Sequence, residues 1–216
     1  MAALRVGVLI SGRGSNLQAL IEACRDPATN ARIVLVLSNK ADAAGLARAA
    51  EAGIPTAVID HKAYQDRAGF DAELDRHLRA AGVELVCLAG FMRILTDGFI
   101  GAWRDRMINI HPSLLPAYRG LDTHARALAD GVKLAGCTVH FVRPELDTGP
   151  IIVQAAVPVA SGDTPESLAA RVLAVEHRAY PLALRLLATG RVKVEGETTV
   201  LDGRPVSGAV FMNPSE

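Results

Sequence analysis

Cysteines, net charge and long apolar runs are all scarce in this sequence, and each shortage removes a class of explanation. The 216 residues include three cysteines, Cys24, Cys87 and Cys137, odd in number and far apart. That argues against a disulfide framework and against zinc sites built on CxxC pairs. Reduced thiols in apolar surroundings imply a cytoplasmic location. Lysine plus arginine and aspartate plus glutamate number 23 each, so the net charge is zero with histidine neutral. Without a basic excess, neither a nucleic acid nor an anionic membrane is an expected partner. No apolar run approaches the roughly 20 residues that a membrane span needs. The opening "MAALRVGVLISG" lacks the apolar length and cleavage site of a signal peptide and reads as a first strand.

Half of the residues are apolar and 21% are charged, enough for a sizeable core. The length suits one domain over 1–216. Apolar runs alternate with helical patterns. "LRVGVLI", "ARIVLVLS", "PTAVID", "VELVCLAG" and "RMINIH" read as strands. "NLQALIEACR", "DAAGLARAAEAG", "AGFDAELDRHLRAAG" and "DGFIGAW" read as the helices between them, with Asp42 as the expected N-cap of the second. Strands this apolar must be covered on both faces, which implies an α/β fold with a parallel, doubly wound sheet. The character changes at residues 100 to 110. "LAGCTVHFV" and "GPIIVQAAVPV" are expected to pair antiparallel. A long helix follows, with Thr164 as N-cap, Pro165 as first residue and a kink at Pro181. Two short strands turning at Gly196 come last.

Three features carry chemistry. In "LISGRGSN" a glycine-rich turn joins the first strand to the first helix and exposes backbone N–H groups at the positive helix end. A Walker loop would need a lysine, and the third glycine of a dinucleotide fingerprint is replaced by Leu17. A single phosphate, as on a phosphoribosyl group, fits the turn, and so does a plain tight turn. Ser15 and Asn16 favour the phosphate because both side chains can hydrogen-bond it. In "NIHPSLLPAYRG", Asn109 and His111 share one face of a strand that Pro112 ends, which puts both at the carboxyl end of a central strand. An amide donor beside an imidazole suits acyl chemistry; a polar strand end capping a loop is the plainer alternative. In "ELDTGPI", Asp147 either holds His111 as an imidazolium or only organises its turn.

The GxSxG elbow and the HExxH motif are absent, and no close His/Cys/Asp cluster suggests a metal site. His61, His77 and His177 are expected in solvent. His124 caps its helix or reaches the site, and His140 has the same choice. Arg67 and Arg93 are candidate site cations or plain surface arginines.

"SGRGSNLQALI", "LSNKADAAGLARA", "LAGFMRIL", "NIHPSLLPAYRGLDTHARAL" and "GCTVHFVRPELDTGPIIVQ" together closely resemble the glycinamide ribonucleotide formyltransferases, from about Leu4 to Leu187. The resemblance implies an open, mostly parallel sheet of about seven strands with helices on both faces. It implies a mononucleotide-binding half over about 1–100, a catalytic and folate-binding half over about 101–190, and a tail over 191–216. It implies Asn109, His111 and Asp147 as catalytic residues, and Gly14, Ser15, Asn16 and Glu176 on glycinamide ribonucleotide. The folate side is implied to use Arg67, the run Met92, Arg93, Ile94 and Leu95, together with Asn109, Val142 and Arg143. The formyl donor is then 10-formyltetrahydrofolate, with no metal, and the protein is a monomer or homodimer.

Methionyl-tRNA formyltransferases and formyltetrahydrofolate hydrolases share Asn-x-His and the later aspartate. The first carry an added C-terminal domain and need a tRNA surface. The second carry a regulatory domain ahead of the core, which here starts at residue 4. A phosphoribosyl-ligand sensor is the non-enzymatic alternative, and it leaves the Asn109, His111 and Asp147 grouping without a purpose.

Overall fold

The computed structural model describes residues 2–202; the rest of the expected tail, 203–216, lies outside the described residues. The first half runs β1 (Leu4–Ile10), α1 (Ser15–Ala23), β2 (Ala31–Ser38), α2 (Gly45–Glu51), β3 (Thr56–Val58), α3 (Arg67–Ala80), β4 (Leu85–Leu88), α4 (Asp97–Ala102) and β5 (Met107–His111). The second half runs α5 (Thr123–Ala129), β6 (Leu134–Phe141), β7 (Ile151–Pro158), α6 (Pro165–Ala188), β8 (Val192–Glu195) and β9 (Thr198–Leu201).

Seven strands form one open sheet in the order β3-β2-β1-β4-β5-β6-β7, and β8 and β9 form a separate hairpin. β1 to β5 are parallel, while β6 and β7 are antiparallel to their neighbours. The change of direction therefore falls after His111. Two apolar layers cover the sheet. Leu17, Leu20 and Ile21 of α1 join Val172, Tyr180 and Leu184 of α6 on one face. Phe70, Leu74 and Leu78 of α3 join Phe99 and Ile100 of α4 on the other. Each such side chain contributes about 1.5–3 kcal/mol by leaving water, and together they fix which strand ends meet.

The helix starts show what sequence can and cannot reveal. α6 starts as expected: the Thr164 hydroxyl accepts the Ser167 N–H, Ser167 returns the bond in a capping box, and Pro165 is the first residue. The helix runs through Pro181 without interruption. α2 does not start as expected, because Asp42 is not its cap. Ala44 holds that position without a side-chain bond, and the Gly45 N–H is accepted instead by the carbonyl of Gly12, 3.0 Å away. A tertiary contact with the β1–α1 turn replaces the local cap.

Candidate active site

The order of strands places a switch point between β1 and β4, where crossovers leave in opposite directions and open a crevice at the carboxyl ends. The "SGRGSN" turn leaves β1 on one side of it. The Phe91 to Leu95 loop leaves β4 on the other. Ser11 ties the two together: its hydroxyl donates to Asn39 Oδ1 (2.6 Å) and accepts the Met92 N–H (2.8 Å).

Gly14 heads α1 with a positive φ of 71°, and a Cβ there would lie 2.5 Å from Gly45 Cα. Only glycine permits this approach of two backbones. Ser15 and Asn16 then form the first turn of α1. Asn16 Nδ2 donates to Glu176 Oε2 at 2.7 Å, so the structure brings together the turn and the α6 carboxylate. Asn16 Oδ1 is buried without a hydrogen-bond partner. Glu176 is itself buried, and desolvation raises its pKa. A cavity of about 470 Å³, lined by Ser15, Gln18, Glu22, Arg48 and His177 among others, opens beside this turn. Asn109, His111 and Asp147 do not line it.

Asn109 and His111 point from β5 to the face covered by α3 and α4. His111 is 6% exposed. Its Nδ1 lies 3.3 Å from Asp147 Oδ2, and its Nε2 lies 2.9 Å from the Tyr118 carbonyl. The Tyr118 carbonyl only accepts, so that hydrogen bond places a proton on Nε2, and Asp147 stands at ion-pair distance from Nδ1. Asp147 reaches this place by an indirect route. The β6–β7 loop starts beside the far end of β5, where the Val142 N–H donates to Met107 O. It then folds back over the sheet face. Asp147 has a positive φ of 51°, and its Oδ2 also accepts the Gly120 N–H at 2.8 Å.

His140, left open by the sequence between a cap and a place in the site, lies in the site. It is paired directly opposite Asn109 across β5 and β6. Its Nδ1 faces the carbonyls of Phe141 and Thr148 at 2.9 and 3.0 Å, which places a proton there. Nε2 is then a lone pair facing Asn109 Nδ2 at 3.4 Å. Desolvation lowers the His140 pKa and favours this neutral form. The Asn109 amide is thereby turned with its N–H₂ toward His140. No local sequence signal contains this pairing, because the antiparallel register decides it.

The remaining expectations divide. His124 is not the cap of α5; Asp122 is, with φ 55°. His124 interacts electrostatically with His111, and its pKa is lowered by burial first and then by His111. Arg67, exposed, begins α3, on whose next turn Phe70 stacks with Phe91 (centroids 6.5 Å apart) and Asp71 accepts from Thr96. That sets the start of α3 against the two ends of the Phe91–Thr96 segment. Met92 and Ile94 are about two-thirds exposed, Arg93 is exposed and Leu95 is buried. Val142 and Arg143 lie away from His111. The Arg143 guanidinium is buried and held by Glu197 Oε2 (2.7 Å) and Asp105 Oδ1 (2.8 Å). Those two carboxylates occupy the guanidinium and leave the Arg143 backbone on the loop. His61 and His177 are half-buried rather than solvated; His61 Nδ1 contacts Asn39, and His177 Nε2 is buried without a partner. His77 is half-buried against Glu73.

The three thiols are free and unsuited to nucleophilic work. Burial pushes Cys24 up to about 11 and Cys137 up to about 12, and raises Cys87 as well. Among the described residues no group of three or more His, Cys, Asp or Glu could hold a metal ion. No helix among them is long and apolar enough to cross a membrane.

The sequence and fold are similar to those of known proteins. The formyl transferase family matches residues 4–184. The chain belongs to that family. Among its relatives, the Bos taurus trifunctional purine biosynthetic protein adenosine-3 is 54% identical over 88% of this chain, which spans only 19% of that protein's length. Phosphoribosylglycinamide formyltransferase of Escherichia coli K12 is 47% identical over 93% of this chain and 95% of its own. The crystal structure of glycinamide ribonucleotide transformylase 1 from Symbiobacterium toebii superimposes with a TM-score of 0.90 at 52% identity, covering 93% and 94% of the two chains. The sheet of this chain is seven-stranded, mostly parallel and open, as the resemblance implied.

Proposed function

We propose that this formyltransferase transfers the formyl group of 10-formyltetrahydrofolate to the amino group of glycinamide ribonucleotide, a step of purine synthesis. The observation that carries the reading is the convergence of Asn109, His111 and Asp147 at the end of β5, together with Glu176, which is bonded to Asn16 of the phosphate-type turn and interacts electrostatically with His111. The names of the near-full-length relatives support the same substrate.

In this reading Gly14, Ser15 and Asn16 hold the 5′-phosphate at the positive end of α1. Glu176 meets the glycinamide portion. Met92, Ile94 and Leu121, all largely exposed apolar side chains on loops around the site, receive the folate rings. Arg67 and Arg93 are cations near the same loop for the folate carboxylates. Val142 and Arg143 contribute backbone rather than a free guanidinium.

The amine nitrogen attacks the formyl carbon and a tetrahedral oxyanion forms. The Asn109 amide and the His111 imidazolium stabilise it, the oxyanion taking the place of the Tyr118 carbonyl at Nε2. Asp147 balances the charge on His111. A proton moves from the attacking nitrogen to N10, the C–N10 bond breaks, and tetrahydrofolate leaves with the formyl group now on the acceptor. The test is to mix protein, glycinamide ribonucleotide and 10-formyltetrahydrofolate and to look for formylated ribonucleotide by mass spectrometry. Formylated product is the expected result. Release of formate without any amine acceptor would instead mark a hydrolase, and phosphoribosyl binding with no turnover would mark a sensor.

A further inference from the structure

The β8–β9 hairpin follows the last residue matched to the family and carries no catalytic motif, yet it grips both feet of the loop that holds Asp147. At the first foot, Arg143 Nε donates to Glu197 Oε2 at 2.7 Å, and Arg143 Nη2 donates to Asp105 Oδ1 at 2.8 Å. The Arg143 side chain is only 6% exposed, while Glu197 and Asp105 reach it from the surface at 59% and 42% exposure, so the guanidinium is fixed and its partners stay half in solvent. At the second foot, the Thr199 hydroxyl donates to the Ile151 carbonyl. Glu197 also takes Arg104 on its other oxygen, which joins the segment before β5 to the same point. The Arg143 bond depresses the Glu197 pKa and keeps it a carboxylate.

Between its feet the loop is stiff. The Phe141 N–H donates to Pro150 O, and Thr148 Oγ1 donates to Glu145 O. Gly149 has φ 109°, and a Cβ there would lie 2.2 Å from Phe141 O. A stiff loop transmits the position of its feet to its tip, where Asp147 meets His111 and the Gly120 N–H.

We propose that the β8–β9 hairpin is a positioning element for the reaction, in which Glu197 and Thr199 clamp the loop and so set Asp147 against His111. This rests on the reading of Asp147 as a catalytic residue.

The variants are Glu197→Ala and Thr199→Val, singly and combined, with thermal melting to confirm folding. Glu197 is mostly exposed, so the fold survives its loss. The combined variant is expected to lower kcat roughly three- to tenfold, the equivalent of one or two net hydrogen bonds. Amide exchange at Gly120, whose N–H is bonded to Asp147, should quicken in step, while β1 to β4 stay unchanged. Glu197→Gln, which keeps an acceptor, should recover part of the loss. Placed on Asp147→Asn, the hairpin substitutions should cost nothing further in kcat, because the path through Asp147 is already cut. Unchanged Gly120 exchange in the combined variant overturns the clamp, as does a full kcat loss in the Asp147→Asn background. Wild-type turnover in Asp147→Asn alone would overturn the catalytic reading instead, and Gly120 exchange would then decide the clamp by itself.

Discussion

His111 Nδ1 stands 3.3 Å from Asp147 Oδ2, with both side chains less than a tenth exposed. His111 ends β5, whereas Asp147 lies in the β6–β7 loop, which starts beside the far end of β5. A carboxylate and an imidazole that close, shielded from solvent and from salt, interact more strongly than a surface pair. The chemistry proposed here depends on that encounter and on what surrounds it.

Asn109 is expected to act on the transition state. Asn109→Ala removes one oxyanion donor, and such losses cost roughly 10²–10³ in turnover. The KM for glycinamide ribonucleotide should change little, because the phosphate turn is untouched. Steady-state kinetics in both substrates check this, and wild-type kcat would refute the role.

His140 makes the reaction sensitive to acid. Burial depresses its pKa below the ordinary 6.5, so the folded protein binds this proton less readily than the unfolded chain does. The stability it contributes is complete above 6.5 and is lost as pH falls from 6.5 through the folded value. Protonation also removes the lone pair that faces Asn109, so kcat should fall on the same acid limb. An NMR titration of the His140 ring beside a kcat–pH profile tests both. A His140 that titrates above 6.5 would contradict the assignment.

Glu176 should show the opposite linkage. Desolvation raises its pKa, so the stability tied to its protonated form is present below about 4.5, the usual carboxylate value, and is lost as pH rises through the folded value. Glu176→Gln keeps an acceptor for Asn16 Nδ2 and removes a buried charge. At pH 8 the variant should melt higher than the parent, with the gap closing toward pH 4.5. Its KM for the ribonucleotide should rise. A lower Tm at pH 8 would refute the sign.

Gly14→Ala joins strain to a backbone clash. A left-handed conformation costs a residue with a Cβ about 1–2 kcal/mol, and the new carbon would meet Gly45 Cα as well. Stability should fall by at least that amount in urea denaturation, with phosphate affinity falling too. A variant as stable as the parent would mean that the turn has another conformation.

The sequence by itself determined the layers and the ends of the first two strands. β1 and β2 have the bounds that the apolar runs "LRVGVLI" and "ARIVLVLS" mark, because strands buried on both faces leave no polar break to blur them. Asn109 and His111 were legible as one face of a strand because the period of two is a local property. The α6 cap was legible for the same reason. Only the tertiary structure decided the rest. Asp42 lost its place as a cap because the Gly12 carbonyl, contributed by another turn, satisfies the Gly45 N–H. The antiparallel register set His140 opposite Asn109, and no window of local sequence holds both strands. The ion pairs of Arg143 with Glu197 and Asp105 join segments far apart in the chain. Side-chain spacing along a strand or helix is written into the chain, whereas a partner from a distant segment exists only once the core has packed and brought the segments together.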